Sequence, residues 1–348
     1  MKVLITGGAG FIGSNLSRKY VEKGDVVYIV DNLSTGSFEN ISDLLEKYPN
    51  KFFFKKDTIL NDDVMDDMVK TVDIVIHLAA AVGVKYIIEN PLSAMETNIL
   101  GTENVLKWVS KYKKKIFIAS SSEVYGDQEK APLTEEDSVI YGPSAKLRWS
   151  YAASKLVDEF IAIAYYRTSN MPVVIARLFN IIGTNQTGRY GMVVPSLIRQ
   201  ALKNEPLLVF GEGTQTRTFT YVEDTVNAII KMMENQKCIG NIINIGGLEE
   251  ISILDLAKKI IRLTNSSSKI ELVPYKKVYS KDFDDMRRRV PSLKKAKELI
   301  NYTPTYNLDD SLKLIINSIR EKIEHDGSNS LPQRKTSKKS KKEEKSRN

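Results

Sequence analysis

The chain contains very little cysteine or histidine. Its 348 residues include one cysteine, Cys238, and two histidines, His77 and His325. A single cysteine excludes an internal disulfide and is typical of proteins of the reducing cytosol, so we expect a cytoplasmic location. The scarcity of both residues nearly excludes histidine-based zinc sites, Ser-His-Asp triads and Cys-His dyads. Acid–base chemistry must therefore use Tyr, Lys, Asp, Glu or Ser side chains.

Long apolar runs are also missing. No run approaches the ~20 apolar residues of a membrane-spanning helix, and the chain starts with a strand-like segment rather than a signal peptide. The formal net charge is +8, but residues 327–348 hold eight basic against two acidic side chains. This Ser- and Lys-rich segment has little to bury, so 326–348 is predicted to be a disordered basic tail. We expect neither nucleic acid nor a membrane to be a required partner, and the role of the tail stays open.

The N-terminal segment MKVLITGGAGFIG has the clearest pattern in the chain. Residues 2–6 form a short apolar run that predicts a strand. Gly7, Gly10 and Gly13 follow it, and apolar residues then recur at helical spacing from Phe11. A glycine turn between a strand and a helix lets a dinucleotide pyrophosphate rest on backbone N–H groups, which a Cβ atom would hold off. The segment therefore predicts a dinucleotide-binding site.

A second predicted strand, 25–30, is followed by Asp31. An acid about 20 residues beyond the glycines, at a strand end, accepts hydrogen bonds from an adenosine ribose. It also repels a 2′-phosphate, which favours NAD over NADP. Asp31 could instead be a turn residue in DNLSTG, but the strand, turn, helix and acid together favour the cofactor.

Strand and helix patterns alternate as far as residue 180. Further strands are predicted at 51–55, 72–78, 115–120 and 172–179, with helices near 38–48, 61–70, 93–113 and 150–170. This alternation predicts the α/β class, with a Rossmann-type doubly wound parallel sheet in residues 1–180 and returning segments from about 220–250. Strands at 207–210, 241–245 and 269–273, with helices near 192–204, 222–235, 252–264 and 292–300, predict a smaller C-terminal α/β substrate-binding portion over 181–325.

Tyr151 and Lys155 stand four residues apart in YAASK, so they share one face of the predicted helix. A nearby ammonium favours the phenolate, so we expect Lys155 to lower the pKa of Tyr151 and make it a general base. By spacing alone, a helix-surface pair without a function would be the better explanation. The serines at 120–122, which precede Glu123 at the end of the fifth strand, favour the catalytic interpretation. A hydroxyl there can bind the same substrate oxygen that the tyrosine deprotonates.

These motifs together resemble the extended short-chain dehydrogenase/reductases, in the NAD-dependent nucleotide-sugar epimerase/dehydratase family. The matching segments are TGGAGFIG, VDNLSTG, HLAA at 77–80, SSSEVYG at 120–126, YAASK at 151–155, RLFNIIG at 177–183 and GEGTQTRTFTYVED at 211–224. They span roughly residues 1–310 in the expected order. Each motif alone is weak to moderate, whereas the ordered set is highly specific.

The resemblance implies a role for each matching residue. The residues implied at the NAD pyrophosphate are Gly7, Gly10, Phe11, Ile12 and Gly13. Asp31 and Asn32 are implied at the adenosine ribose, and Asp57 and Thr58 near adenine. Leu78, Ala79, Ala80 and Ser120 would line the cofactor, and Asn98 would support the site from a neighbouring helix. The implied catalytic residues are Ser121, Ser122, Glu123, Tyr151 as base, and Lys155, which would bind the nicotinamide ribose and tune the tyrosine. The implied substrate contacts are Lys85, Ser121, Ser122, Asn180, Arg189, Val194, Arg217 and Arg289, with Arg217 and one arginine of 287–289 at the diphosphate.

The resemblance also implies a shared first step. Tyr151 takes the proton of the sugar 4-hydroxyl while the C4 hydride passes to NAD⁺, which leaves a 4-keto sugar. A 4-epimerase returns the hydride to the other face, a decarboxylase loses carbon dioxide from C5, and a 4,6-dehydratase loses water. The triplet Ser121-Ser122-Glu123 lacks the acid that would protonate the leaving 6-hydroxyl, which disfavours the dehydratase.

The remaining motifs divide between two reactions. The triplet and the segment Arg289-Val290-Pro291 resemble UDP-glucuronate decarboxylases. The lead-in GPSAKLRWSYAASK departs from the decarboxylase pattern, and QTGRYGMVVPSLIRQAL is more similar to 4-epimerases. We therefore expect a UDP-sugar 4-epimerase acting on UDP-glucose/UDP-galactose or UDP-glucuronate, with UDP-glucuronate decarboxylase as the close alternative. A non-catalytic NAD-sensing or RNA-binding relative is a remote alternative, because it would not need a tyrosine base beside a lysine.

Family resemblance further implies a homodimer. The helices near 93–113 and 150–170 would form a four-helix bundle between two copies. An exposed Trp108 on the first of these helices would be consistent with that interface, although a lone Trp on a helix is more often part of the core.

Overall fold

The structure is a computed structural model that describes residues 1–188, 192–278 and 286–329. Its strands are β1 (Lys2–Thr6), β2 (Val26–Asp31), β3 (Phe52–Lys56), β4 (Ile74–His77), β5 (Lys115–Ser121), β6 (Val173–Leu178), β7 (Ile181–Ile182), β8 (Leu207–Phe210), β9 (Thr216–Thr218), β10 (Thr220–Tyr221), β11 (Ile242–Ile245), β12 (Glu250–Ser252), β13 (Ile270–Val273) and β14 (Arg288–Arg289). Its helices are α1 (Phe11–Glu22), α2 (Ser42–Lys47), α3 (Asp62–Thr71), α4 (Val84–Glu89), α5 (Pro91–Met95), α6 (Gly101–Lys111), α7 (Ser150–Ser169), α8 (Val193–Leu202), α9 (Val222–Glu234), α10 (Ile253–Thr264), α11 (Tyr275–Val278), α12 (Lys294–Ile300) and α13 (Leu308–Asn329).

Seven parallel strands form the central sheet, in the order β3-β2-β1-β4-β5-β6-β11. Strands covered by helices on both faces need apolar side chains on both faces, and all six residues of β6 are buried accordingly. The chain winds outward from β1 to β3 and then returns to β4 on the other side of β1. A crevice opens where the direction of winding reverses, at the carboxyl ends of β1 and β4. The predicted doubly wound α/β sheet is confirmed.

The helix predicted over 93–113 is interrupted. It consists of α5, a π-helical turn at Glu96–Leu100, and α6. The wider turn places Asn98 in the interior, where its side chain is 1% exposed. π-Helical turns inside α-helices are frequent near functional sites.

The seventh strand of the sheet comes from late in the chain. β11 pairs with β6, from Ile242 beside Ile175 to Ile245 beside Leu178. It therefore completes the central sheet, in keeping with the predicted return of the chain over 220–250, although the segment 241–245 was grouped by its pattern with the later strands.

A second, smaller layer is built from residues after β6. It contains the pairs β10-β7 and β13-β8 and the three-stranded sheet β12-β9-β14. Strands of two or three residues have no recognisable alternation, which is why β7, β9, β10, β12 and β14 were not predicted. α8 and α10 pack against each other and against β8.

The last described helix, α13, was also not predicted. It continues to Asn329, into the segment expected to be a disordered tail, and residues 330–348 lie outside the described part of the chain. Within the described residues, no helix combines the length and apolar character that crossing a membrane requires. A cytoplasmic location stays a prediction.

Candidate active site

A cleft of about 910 Å³ lies at the carboxyl ends of the central strands and is closed on the other side by the smaller layer. Most of the predicted site residues line it. They are Gly7, Gly10, Phe11, Ile12, Gly13, Asp31, Asn32, Asp57, Thr58, Leu78, Ala79, Ala80, Ser120, Ser121, Ser122, Glu123, Tyr151, Lys155, Asn180, Val194, Arg217 and Arg289. The fold thus brings together residues that are up to 282 positions apart in the chain.

The glycine turn between β1 and α1 forms one end of the cleft. Gly7 has a φ of +70° and a Cβ there would lie 2.8 Å from the backbone nitrogen of Ala79. A Cβ on Gly13 would lie 2.1 Å from the carbonyl oxygen of Gly7. Both contacts are with backbone, so larger residues cannot be accommodated by a side-chain rearrangement. The close packing leaves the N-terminus of α1 open to the cleft, as a pyrophosphate site requires.

Asp31 lies at the end of β2, beside this turn. Its carboxylate accepts hydrogen bonds from the backbone N–H of Leu33 at 2.8 Å and of Ala9 at 3.0 Å. Burial raises the pKa of Asp31, while these N–H donors act in the opposite direction. The acid is held at the position in the cleft where an adenosine ribose is expected, so the glycine turn and Asp31 together fit a dinucleotide.

β5 and α7 form the end of the cleft that holds the predicted serine, tyrosine and lysine. The Ser121 hydroxyl accepts a hydrogen bond of 3.2 Å from the backbone N–H of Glu123 and caps the short 3₁₀ turn Ser122–Tyr125. Tyr151 and Lys155 lie on the first turns of α7 and face the same cleft. The predicted grouping of serine, tyrosine and lysine is present.

Lys155 is not among the main groups that set the pKa of Tyr151 in this structure. Burial raises the pKa of Tyr151, the Glu123 carboxylate raises it further, and a hydrogen bond with Ser121 lowers it. The Lys155 ammonium instead donates to Asp158 Oδ2 at 2.8 Å. The Lys155 ammonium pairs with the Asp158 carboxylate because a hydrogen bond between two charged groups is stronger than one to a neutral phenol.

Glu123 is held between two arginines at the same end of the cleft. Arg289 Nη1 donates to Glu123 Oε1 at 2.9 Å, and Arg148 Nη1 donates to the other carboxylate oxygen. Burial alone would raise the pKa of Glu123, but the two guanidinium groups lower it to about 2. Arg289 also donates to Asn180 Oδ1 at 2.8 Å, so Glu123, Arg289 and Asn180 form one connected group.

A second buried ion pair supports the end of β5. Arg177 donates two hydrogen bonds to the Glu159 carboxylate, at 2.9 and 2.8 Å. The Ser120 hydroxyl donates to the same carboxylate at 2.5 Å. The pair joins β6, α7 and β5 and fixes the strand end from which the serines enter the cleft.

Comparison with known proteins identifies the family. The family model described as GDP-mannose 4,6 dehydratase matches residues 4–315. The chain is a member of the extended short-chain dehydrogenase/reductase family. It is 43% identical over 93% of its length to the UDP-N-acetyl-alpha-D-glucosaminuronate decarboxylase of Bacillus cytotoxicus, and covers 99% of that protein. It is 35% identical to UDP-glucuronic acid decarboxylase 1 of Danio rerio, over 94% of this chain and 75% of that one.

A solved structure with the same fold is that of UDP-glucuronic acid 4-epimerase from Bacillus cereus in complex with UDP-glucuronic acid and NAD. The TM-score is 0.83, the identity is 31%, and the match covers 92% of this chain and 99% of that one. The extended short-chain dehydrogenase/reductase fold, NAD as cofactor and a nucleotide-sugar substrate, all predicted, are confirmed. The chain is accordingly an NAD-dependent enzyme of nucleotide-sugar metabolism.

Asn98, which the resemblance implies in support of the site, does not line the cleft. Its side-chain oxygen accepts a hydrogen bond of 2.7 Å from the backbone N–H of Ala81, which follows the cleft residue Ala80. Within the arginine cluster, Arg289 faces Glu123, whereas the exposed Arg288 pairs with Glu250. Arg189 and the side chain of Lys85 lie outside the described residues.

Arg148 is the main cleft residue that the motifs did not single out. It lies three residues before Tyr151, in the lead-in that departs from the decarboxylase pattern, and it lines the cleft with 5% exposure. Its partner Glu123 is 25 residues away, so no local pattern could pair them. The one feature of the sequence that could have indicated Arg148 is its position three residues before Tyr151 of the YAASK motif.

Trp108 does not support the predicted interface. It is 8% exposed, and its indole N–H donates to Asp62 Oδ1 at 2.8 Å within the same chain. It therefore joins α6 to α3, as the simpler explanation for a lone Trp on a helix states.

Proposed function

We propose that the chain is an NAD-dependent decarboxylase of a UDP-hexuronate, either UDP-N-acetylglucosaminuronate or UDP-glucuronate. The decarboxylase relatives support this reaction over the 4-epimerase that the sequence motifs favoured. The observation in the structure that carries the proposal is Glu123 fixed between Arg148 and Arg289 at the end of the cleft that holds Tyr151. A simple 4-epimerase has no need of such a group.

In this proposal Tyr151 accepts the proton of the sugar 4-hydroxyl, and Ser121 donates a hydrogen bond to the same oxygen. When bound, NAD supplies the oxidant for the sugar C4 and a positive charge that favours the Tyr151 phenolate. That charge matters here, because burial and Glu123 raise the pKa of the free phenol. Lys155 binds the nicotinamide ribose, as the resemblance implies.

Oxidation places a ketone at C4, β to the carboxylate on C5. The bond between C5 and the carboxylate carbon then breaks, carbon dioxide leaves, and the electron pair moves to the C4 oxygen as an enolate. The Ser121 and Tyr151 hydroxyls are the donors that stabilise this developing negative charge. The sequence ends when C5 takes up a proton from water, the hydride first removed from C4 returns to that carbon, and Tyr151 gives its proton back to the C4 oxygen, which yields a UDP-pentose.

Glu123 assists as a permanent anion. Its pKa of about 2 keeps it ionised at neutral pH, so it cannot serve as the proton donor. A fixed negative charge beside the substrate carboxylate favours its loss as neutral carbon dioxide. Arg148 and Arg289 keep Glu123 ionised and in place.

The test is to incubate the enzyme with UDP-N-acetylglucosaminuronate, UDP-glucuronate and UDP-glucose and to follow the products by NMR. The substrate carboxylates carry ¹³C, so that released carbon dioxide is measured directly. We expect one carbon dioxide per UDP-pentose from a uronate, and no reaction of UDP-glucose. Formation of the 4-epimer of a uronate without carbon dioxide would replace the proposal by a 4-epimerase. A 4-keto-6-deoxy product would contradict the argument that the triplet Ser121-Ser122-Glu123 disfavours a dehydratase.

We also propose that the enzyme is a homodimer. Leu92 in α5, Leu100 in the π-helical turn and Phe160 in α7 are 72%, 56% and 67% exposed, and the three elements contact one another. Exposed apolar side chains gathered on neighbouring helices are typical of a subunit interface. A second copy of the same face would bury them.

A further inference from the structure

Lys155 has a buried charge partner three residues later in the chain. Its ammonium lies 2.8 Å from Asp158 Oδ2, and the two side chains are 3% and 0% exposed. Lys155 lines the cleft, whereas Asp158 does not. The carboxylate therefore lies behind the lysine, inside the protein, and contacts the site through it.

The surroundings of Asp158 leave Lys155 as its charge partner. The adjacent acid, Glu159, is paired with Arg177. His77 is neutral, because burial and the nearby Lys155 lower its pKa to about 3. Asp158 Oδ1 is buried without a hydrogen-bond partner among the described residues. Burial raises the pKa of Asp158, and the Lys155 ammonium and the Thr102 hydroxyl act in the opposite direction.

Stability alone does not account for such a pair. Replacing a buried ion pair by apolar side chains of similar volume is often neutral or stabilising. A lysine side chain has a flexible four-carbon stem that can place its ammonium in several positions. A carboxylate behind the lysine holds the ammonium on the wall of the cleft.

The pair also adjoins a buried chain of hydrogen bonds that reaches the glycine turn. His77 Nε2 lies 3.0 Å from the Thr102 hydroxyl, which faces Asp158. His77 Nδ1 lies 2.7 Å from the hydroxyl of Thr6, and that hydroxyl accepts a hydrogen bond of 3.2 Å from Ala79 N–H. One polar network thus connects the lysine with the backbone that borders the pyrophosphate end of the cleft.

We propose that Asp158 is a positioning residue for Lys155, which it holds where the ammonium binds the nicotinamide ribose of NAD. This inference rests on the role proposed for Lys155, but not on whether the enzyme is a decarboxylase or a 4-epimerase. Its consequence is that Asp158 determines cofactor affinity without touching the cofactor.

The test measures NAD affinity of protein freed of nucleotide, by calorimetric titration, for the wild type, Asp158→Asn, Lys155→Met and the double variant. The asparagine keeps the shape of Asp158 and removes its charge. We expect Asp158→Asn to weaken NAD binding by roughly tenfold or more, the effect of a misplaced charged hydrogen-bond donor. We also expect the double variant to bind NAD no more weakly than Lys155→Met alone.

Asp224→Asn is the matched control. Asp224 is also a buried acid, 4% exposed, but it accepts hydrogen bonds from the backbone of Thr305 and Tyr306 outside the cleft. It should lower the melting temperature and leave NAD affinity unchanged. If Asp158→Asn behaves like this control, the positioning role is refuted and the pair is only structural. If Lys155→Met itself leaves NAD affinity unchanged, the role proposed for Lys155 fails instead.

Discussion

Replacing Arg148 by methionine tests how Glu123 is kept ionised. The pKa of Glu123 lies at about 2, against an ordinary value near 4.5, because Arg148 and Arg289 outweigh the effect of burial. A shift of this size corresponds to roughly 3 kcal/mol of folding free energy. Because the arginines also offset the opposing effect of burial, each contributes more than half of this net shift, and Arg148→Met should lower the free energy of unfolding at pH 7 by about 3 kcal/mol.

The sign of the pH dependence follows from the lowered pKa. The stability that Glu123 contributes is complete above its unfolded pKa and is lost as the pH falls through its folded pKa. Roughly half of it remains near pH 3, so the difference between wild type and Arg148→Met should shrink between about pH 5 and pH 2. Urea unfolding at pH 7 and pH 3 measures this difference.

Two comparisons make the measurement decisive. Arg288→Met removes an exposed arginine from Glu250 and should cost no more than about 1 kcal/mol, because solvent screens the pair. In a Glu123→Gln background, Arg148→Met should cost much less than it does in the wild type. Equal losses for Arg148→Met and Arg288→Met, or the same loss in both backgrounds, would refute the reasoning about Glu123.

Three further predictions concern the cofactor, the base and the interface. Gly13→Ala should abolish NAD binding in a calorimetric titration, because its Cβ would lie 2.1 Å from a backbone oxygen. Gly24→Ala is the control: Gly24 has a φ of +98° and open space around it, so the substitution should cost about 1 kcal/mol of stability and leave NAD affinity unchanged. Tyr151→Phe should bind NAD and UDP-glucuronate but form no NADH in a single-turnover absorbance measurement, and undiminished turnover would remove Tyr151 as the base. Phe160→Glu should convert a dimer of twice 39.3 kDa into a monomer in light scattering after gel filtration, whereas a monomeric wild type would contradict the interface.

Much of the first half of the fold could be predicted from the sequence. The inner strands of the central sheet, such as β1 and β6, are covered on both faces, so they appear in the sequence as short continuous apolar runs next to a helical period. The glycine turn and Asp31 could be predicted because their conformation is local: a positive φ or a strand end is encoded within a few residues. The short strands of the second layer could not, since two or three residues such as Arg288–Arg289 carry no periodicity.

The ion pairs of the site could not be predicted from short sequence motifs. Tyr151 and Lys155 were correctly placed on one helix face, but the spacing could not show that Asp158 would compete for the ammonium. Arg148 and Arg289 meet at Glu123 from segments that are 141 residues apart, and only the tertiary fold brings them together. Side-chain partners of this kind depend on burial and geometry, which a sequence pattern does not contain.

The position of β11 has a consequence for how the chain is made. The central sheet is not complete until residues 242–245 add to β6, after the intervening layer has been synthesised. While the ribosome is still translating residues 180–240, β6 is an edge strand with unpaired backbone groups, the kind of edge that pairs with other chains. A fragment ending near residue 180 should therefore aggregate rather than fold. The central sheet and the smaller layer are expected to fold together, once β11 has been synthesised.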